Sequence, residues 1–322
     1  MIRNALKNTH KSHDINVVHL KKFMEFTNCE ICNSSNFTVL KSSNINRQTG
    51  FDELAKQFIS SSTAKLAFQL VRCNLCDLIF VNPRIKSSVI LSSYATAIDT
   101  NHQYQSDYRI KSFKRALKGT EKYMNNSNLD FKRSNVLDIG CAGGAFLKAA
   151  EQLDYTALGL EPSKNLTLWA KENLNVRVIA TTLEKYSKNK TKKFSIVTFW
   201  DVLEHIHNPS KTLRYAKKIL KDEGILIINV PMVDSFPAKL LRGAWPFYLN
   251  VHLFYFTRKT IIKLLEKNGF EVIHVKNYWQ CLSLGYVLIR ANLPISPEIL
   301  KKLRLPVWYY LGQRTVVAKK SK

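Results

Sequence analysis

The chain has no run of about eighteen apolar residues, so nothing in it reads as a membrane-spanning helix. Its opening stretch, MIRNALKNTHKSHD, lacks the apolar segment of a secretory signal. Both absences point to a cytoplasmic protein, with any membrane contact peripheral and at the inner face. There is no G-x-S-x-G elbow, no G-x-x-x-x-G-K phosphate loop and no H-E-x-x-H helix, which removes three large classes of hydrolase. Acidic residues are scarce, 24 against 49 Lys and Arg, for a formal charge of +25. The bases are scattered rather than gathered into an arginine-rich block, and no RNP-like aromatic motif interleaves with them. That pattern disfavours nucleic-acid recognition and suits attraction for an anionic small molecule, such as a phosphorylated sugar, or an anionic membrane face.

What is present is enough for a folded protein. The 322 residues are 45% hydrophobic and 11% aromatic, so a proper core can form and two modest domains fit. Six cysteines occur, and four of them fall into two C-x-x-C pairs, Cys29/Cys32 and Cys73/Cys76. Without a secretion signal such pairs read as a shared tetrahedral zinc site rather than disulfides. Four thiolates leave no open position for water, so the zinc is expected to be structural.

Apolar and helical runs set the organisation. Residues 1–22 are a basic tail, 23–90 a small zinc ribbon, and 91–134 a linker that turns helical in its second half. "DELAKQFISSSTAKLAFQL" is the candidate helix between the cysteine pairs. From Asn135 onward, strand-like "VLDI", "TALGLE", "VRVIA", "FSIVTFW" and "GILIINVP" alternate with helical runs. This predicts an α/β, doubly wound, Rossmann-like parallel sheet over 135–322. It carries an aromatic loop over 233–257, a helical insertion over 278–312 and a last strand at "RTVVAKK". Within the insertion, 298–312 mixes bases with Trp308, Tyr309 and Tyr310, the composition of an interfacial anchor or of a helix packed over the cleft.

The turn after the first of these strands is Asp138-Ile139-Gly140-Cys141-Ala142-Gly143-Gly144. Its spacing is not the G-x-G-x-x-G of a dinucleotide site, and Asp138 would repel a diphosphate while attracting an ammonium group. Gly140 and Gly144 would let a ligand approach the backbone without meeting a Cβ. Glu161 stands at the tip of the next strand, twenty-one residues beyond Gly140, where an acid accepts bonds from ribose hydroxyls. S-adenosylmethionine has all three properties, a ribose, a cationic amino-acid portion and no phosphate, and the alternative is a glycine-rich turn of a doubly wound fold with no such ligand.

These segments, with "CEIC…CNLCDLIFVNPR", "VLDIGCAGGAFL", "LGLEPS", "FWDVLEHIHNP" and "HLFYFTRKTIIKLLEKNGF", resemble the class I S-adenosylmethionine-dependent methyltransferases. The likeness runs over about residues 27–322 and is narrowest to members with an N-terminal zinc ribbon, which resemble sugar methyltransferases and the ubiquinone-biosynthesis O-methyltransferase. Ala142 departs from the usual glycine of the turn. The resemblance implies that Asp138, Gly140, Cys141 and Gly144 form the donor turn, with Glu161 on the ribose and Pro162, Thr182 and Leu183 around the adenine. It places Trp200, Asp201 and Val202 by the methionine end. The segment Asp201-Val202-Leu203-Glu204 lacks the Asp/Asn-Pro-Pro-aromatic motif of base and glutamine amino-methylating enzymes.

Transfer to a hydroxyl or an activated carbon needs a general base, and His252 and His205 are the candidates. Glu204 beside His205 is positioned to orient its ring, and His207 is expected at the surface. The expected acceptor is a nucleotide- or lipid-linked sugar of surface-glycan biosynthesis. The alternatives are a quinone or lipid methylated at a membrane face, and a scaffold that binds the donor without turnover. The oligomeric state has no signature in the sequence.

Overall fold

The computed structural model describes residues 23–45, 64–88, 90, 105–124, 134–189, 192–290, 296 and 302–321. The predicted basic tail lies outside these residues, as do Tyr94 and Tyr104 of the linker.

The N-terminal lobe consists of β1 (Met24–Glu25), β2 (Phe37–Lys41), β3 (Leu70–Cys73), β4 (Ile79–Val81) and β5 (Arg84–Ile85). Strands β2, β3 and β4 form an antiparallel sheet, and β1 pairs with β5. The first part of the predicted helix between the cysteine pairs falls outside the described residues. Its end is not helical: Lys65 bridges to Leu249 and Leu70 begins β3. Tertiary pairing with a distant loop outweighs helix propensity in that short stretch.

Helix α1 (Ser106–Met124) leads into the main unit, matching the helical second half expected of the linker. Then follow β6 (Asn135–Ile139), α2 (Ala145–Glu151), β7 (Thr156–Leu160), α3 (Lys164–Leu174), β8 (Val178–Ile179), α4 (Leu183–Asn189), β9 (Phe194–Trp200), α5 (Pro209–Ile219) and β10 (Leu220–Pro231). Local signals place the helix starts. Ser163 accepts from the Leu166 amide at 3.3 Å, and Asn208 from that of Lys211 at 2.8 Å with Pro209 in the first turn. Every residue of β9, FSIVTFW, is buried, as a strand covered on both faces requires.

After β10 come α6 (Phe236–Leu241), β11 (Phe254–Tyr255), α7 (Arg258–Lys267), β12 (Phe270–Asn277), β13 (Gln280–Ser283), α8 (Leu284–Arg290), β14 (Pro306–Tyr309) and β15 (Gln313–Lys320). The large sheet has seven strands in the order β12-β15-β10-β9-β6-β7-β8. It is parallel from β10 to β8, with β15 antiparallel to both β10 and β12. The doubly wound prediction therefore holds, with an antiparallel edge added. The predicted helical insertion does not hold throughout. Residues 280–283 and 306–309 are hydrogen-bonded strands, 284–290 between them are helix, and the proposed anchor segment is extended at Trp308.

The lobe does not stand apart. Strand β11, far along the chain, adds to β4 and completes a four-stranded sheet in the order β11-β4-β3-β2. Cys29, Cys73, Leu78 and Phe80 of the lobe share one buried cluster with Leu137, Phe199 and Leu264 of the main unit. Burial across this join, not either half alone, is what the lobe has to fold against.

Candidate functional site

The C-terminal ends of β6, β7 and β9 open into a cavity of about 2390 Å³. A pocket for one small ligand measures about 300–1,000 Å³, so this one has room for two. It has a pole at the glycine turn and a second between the lobe and the aromatic loop.

At the first pole the turn is built by backbone geometry. Gly140 has φ +68°, and its N–H donates to the Leu160 carbonyl at 2.8 Å. A Cβ there would lie 2.9 Å from a Val202 methyl, and one on Gly144 2.7 Å from a Val176 methyl. The sequence reading assigned these glycines to ligand approach. The space is instead taken by the protein's own side chains, and the positive φ values supply the second reason for glycine. Ala142 also has a positive φ, +46°, and its N–H is held by a Glu161 carboxylate oxygen at 3.0 Å.

Glu161 is buried, and its other oxygen accepts from the Ser163 N–H at 2.9 Å. Burial pushes its pKa up, and these two amide bonds pull it back. Each carboxylate oxygen accepts two bonds, so one position on each remains for a ligand. Asp138 accepts from the Thr198 hydroxyl at 2.6 Å. Its burial pushes the carboxyl up to about 8, opposed by that hydrogen bond and reinforced by the charge of Glu161. Cys141 and Leu183 are buried, and Pro162, Thr182 and Leu183 line the same wall of the cavity.

Trp200 and Val202 reach the same cavity from the end of β9. Trp200 sits among Phe113, Phe146 and Tyr278, with ring centroids 5.2, 5.3 and 5.5 Å away. Asp201, with φ +56°, accepts from Asn229 Nδ2 and Gln313 Nε2, both at 2.7 Å. Three buried groups lining the cavity have polar atoms without a hydrogen-bond partner among the described residues: Trp200 Nε1, Gln313 Oε1 and both oxygens of Glu204. Buried polar atoms are rarely left so, and together they mark where a polar ligand belongs.

Sequence reasoning missed Arg109. It lines the cavity from α1, its charge reaches both Asp138 and Asp201, and its guanidinium lies 5.4 Å over Phe113. Nothing in "DYRIKSF" separates this arginine from its basic neighbours. Only the docking of α1 against α2 turns it inward.

The second pole holds Glu204, His205 and His252, whose ligand-type atoms all lie within 4.8 Å of one another. The sequence reading had Glu204 orient the His205 ring. The ring is held instead by the Val251 carbonyl, 2.9 Å from Nδ1, and that of His252 by the Phe247 carbonyl at 2.8 Å. A carbonyl only accepts, so both Nδ1 atoms carry the proton and both Nε2 lone pairs remain available. Burial lowers the His205 pKa to about 4, and burial together with His205 takes His252 well below its ordinary value. Burial and the charge of Asp201 drive Glu204 the other way, well up. The three are also donor types that a divalent cation accepts.

His207, expected at the surface, is half-buried. Its Nε2 meets the Ile85 carbonyl at 2.7 Å, and its own carbonyl accepts from Arg84 at 2.7 Å. Arg84 is paired in turn with Glu25 at 2.9 Å. The lobe thus clasps the loop after β9. Trp245, Phe247 and Tyr248 line the cavity while packing edge-on against one another, and Trp245 Nε1 donates to the Leu311 carbonyl at 2.7 Å.

Cys29 Sγ lies 3.3 Å from Cys76 Sγ and Cys32 Sγ 3.4 Å from Cys73 Sγ, with all four within 4.8 Å. A tetrahedron with Zn–S of about 2.3 Å has edges near 3.8 Å, so this quartet fits a zinc ion with small adjustments.

The family described as a methyltransferase domain matches residues 102–275, more than half of the chain. The chain belongs to that family. It is similar to the ubiquinone biosynthesis O-methyltransferase of Glaesserella parasuis serovar 5, 31% identical over 116 residues, which covers 33% of this chain and 49% of that protein. The Serratia proteamaculans protein of the same name is 33% identical over 94 residues, 28% of this chain and 39% of that one. The chain thus spans about half the length, or less, of these curated relatives. Among solved structures it is similar to a SAM dependent methyltransferase from Archaeoglobus fulgidus. That match is 18% identical, covers 69% of this chain and 100% of that one, and has a TM-score of 0.48. The magnesium protoporphyrin IX methyltransferase of Synechocystis gives 14%, 73%, 100% and 0.47.

Proposed function

We propose that the protein transfers a methyl group from S-adenosylmethionine to an oxygen or carbon of a small molecule. The observation that carries this reading is the pair of buried carboxyls, Asp138 and Glu161, opening on the same cavity as the Glu204–His205–His252 cluster. When bound, the donor supplies a methyl carbon already activated by its sulfonium. The free positions on the Glu161 oxygens suit the two ribose hydroxyls, and Pro162, Thr182 and Leu183 suit the adenine. Asp138 suits the ammonium group, with Arg109 placed for the carboxylate beside it.

Asp138 makes this assignment measurable. With its pKa pushed up to about 8, the carboxyl is mostly protonated at neutral pH, whereas an ammonium partner requires it ionised. Donor affinity is therefore expected to rise with pH, by at most about tenfold per unit, until it levels near pH 8. Calorimetry in buffers of different ionisation enthalpy should show nearly one proton released at neutral pH. Affinity that stays flat over this range would remove Asp138 from the ammonium.

At the acceptor pole His205 is the general base. Both rings line the cavity, and His205 is the less buried of the two, His252 being packed against Phe247 and Tyr255. The acceptor proton passes to His205 Nε2 as the acceptor–carbon bond forms and the carbon–sulfur bond breaks. The thioether product leaves without the positive charge, which the imidazolium then carries. Aligned reactants in a water-poor cavity account for up to about 7–11 kcal/mol of the barrier, and the base for about 10²–10⁴ in rate. Because the folded pKa of His205 is about 4, the base is in its working form down to mildly acidic pH. With the donor saturating, the acid limb of kcat/KM for the acceptor is expected near pH 4, and a limb near 6.5 would point to another base.

A nucleotide- or lipid-linked sugar is the proposed acceptor. Lys41, Lys65 and Arg242 line the cavity away from the donor turn, beside Trp245 and Tyr248, a pairing of bases and rings suited to a phosphorylated sugar. The ubiquinone O-methyltransferase relatives favour a second reading, a quinol or other lipid-soluble phenol. Incubation with methyl-labelled donor and separate panels of nucleotide sugars and quinols distinguishes them. Label on the sugars supports the first reading and label on the quinols only the second. Label on neither, with donor binding intact, leaves the donor-binding scaffold. We also assign a structural zinc to Cys29, Cys32, Cys73 and Cys76, supported by the spacing of the four thiols.

A further inference from the structure

The hairpin β13/β14 and the outer side of α1 build a surface that neither pole uses. Trp279, Leu305 and Trp308 are 42%, 62% and 38% exposed there. Trp308 lies opposite Cys281 in the hairpin, and α1 is pinned to β13 by bonds from the Cys281 amide to Ser112 Oγ at 2.7 Å and from the Ser283 amide to Gln105 Oε1 at 3.0 Å. The docking brings the Arg115 guanidinium 4.9 Å over the Trp308 ring and 5.9 Å over that of Trp279. One turn earlier Lys111 lies 5.6 Å over Tyr108, whose hydroxyl donates to the Arg304 carbonyl. Lys111, Arg115 and Lys118 follow at steps of four and three, so they form one exposed stripe along α1. Asp107 and Glu121 stand only at its two ends. Among the described residues none of the three bases makes an ion pair with a carboxylate.

Exposed indoles beside a basic stripe are the composition of a surface that rests in a headgroup layer, rings at the interface and bases toward lipid phosphates. Single-stranded nucleic acid also likes bases and aromatics, but it stacks on free ring faces. Here Arg115 already lies over both indoles and Tyr310 packs against Trp279 at 5.9 Å, so part of the ring surface that a base would stack on is taken. No helix among the described residues is long and apolar enough to cross a membrane, so the contact is one of surface. Gln280, Leu282 and Tyr309 of the same strands line the cavity, so the hairpin borders the site as well as this surface.

We propose that this face docks on a bilayer bearing anionic headgroups, with Trp279, Leu305 and Trp308 in the headgroup layer and Lys111, Arg115 and Lys118 on its phosphates. The docking is read without turnover and does not depend on the acceptor assigned above. Its test is co-sedimentation of the full chain with phosphatidylcholine vesicles, with and without phosphatidylglycerol. Binding is expected only with phosphatidylglycerol, and it should weaken with salt. Lys111→Gln/Arg115→Gln/Lys118→Gln should weaken it about a hundredfold, at about fivefold for each base. Trp279→Ala/Trp308→Ala should lower the binding that survives at high salt. A matched triple at the far sheet edge, Lys171→Gln/Arg177→Gln/Lys192→Gln, should change it little, and all variants should bind S-adenosylmethionine as the wild type does. Three results would overturn the proposal. These are no binding to phosphatidylglycerol vesicles, equal losses in the two triples, and capture of random-sequence RNA that only the α1 triple abolishes while vesicle binding persists.

Discussion

Glu161→Ala weakens binding of S-adenosylmethionine by about a hundredfold or more. The side chain accepts from the amides of Ala142 and Ser163, and one position on each oxygen is left for a ligand, the ribose in the proposed donor site. Hydrogen bonds to a charged acceptor contribute about 1.5–3 kcal/mol each, so loss of the two ribose bonds alone costs about 3 kcal/mol, a factor of about 100. The loss goes further because the donor turn loosens. Ala142 is held at φ +46°, a region that disfavours a Cβ, and its amide is tied there by Glu161. Glu161→Gln keeps one acceptor but turns an NH₂ toward the second amide or hydroxyl, so it should fall between wild type and alanine. Calorimetry with the donor and with its demethylated product measures all three, and thermal unfolding shows whether the variants are folded. An alanine variant that binds as tightly as wild type would end the ribose assignment, and with it the donor site.

The second large effect is expected from the cysteines. Purified protein should carry about one zinc per chain, and Cys73→Ser, or a strong chelator, should remove it. Zinc in small structural sites contributes about 10–16 kcal/mol of apparent binding energy, which is folding energy for the segment that supplies the ligands. The consequence reaches the acceptor pole through specific bonds. The Leu66 amide donates to the Tyr248 carbonyl at 2.9 Å, the Ala67 amide to Asn250 Oδ1 at 2.7 Å, and the Val81 amide to the Leu253 carbonyl at 2.9 Å. These grip the loop that carries His252, while the glycine turn is held by the pairing of β6 with β7 and β9 inside the large sheet. Loss of the metal is therefore expected to abolish methyl transfer and to leave donor affinity within a few-fold. Full transfer by a metal-free Cys73→Ser protein would show that the quartet is not a zinc site or that the lobe does not shape the acceptor pole.

Much of the glycine turn and its two acids was legible because they are local. A strand, a glycine turn, a helix and an acid at the next strand tip all lie between Asn135 and Glu161, and strand periodicity places both acids at one sheet edge without knowledge of anything distant. What the glycines do was not legible. Gly140 and Gly144 make room for Val202 and Val176, residues far along the chain, so their neighbours follow from packing. Arg109 was invisible for the same reason.

The paired strands at 280–283 and 306–309 show the limit from the other side. Their aromatic and basic residues fit a helix or a strand equally well, and the pairing of Cys281 with Trp308 decided for the strand. His207 was misjudged because a polar residue in a loop reads as exposed until another lobe supplies the carbonyl of Ile85 to bury it.

The sequence by itself determined the α/β class, the succession of strands, the cysteine quartet and the two acids beside the glycine turn, since each depends on residues close together or on a repeated spacing. Tertiary structure alone decided that β11 joins the lobe's sheet, that Glu204, His205 and His252 meet, and that Arg109 turns into the cavity. Those contacts join segments tens to hundreds of residues apart. Burial and unmet hydrogen bonds select them, and neither quantity exists until the chain has folded.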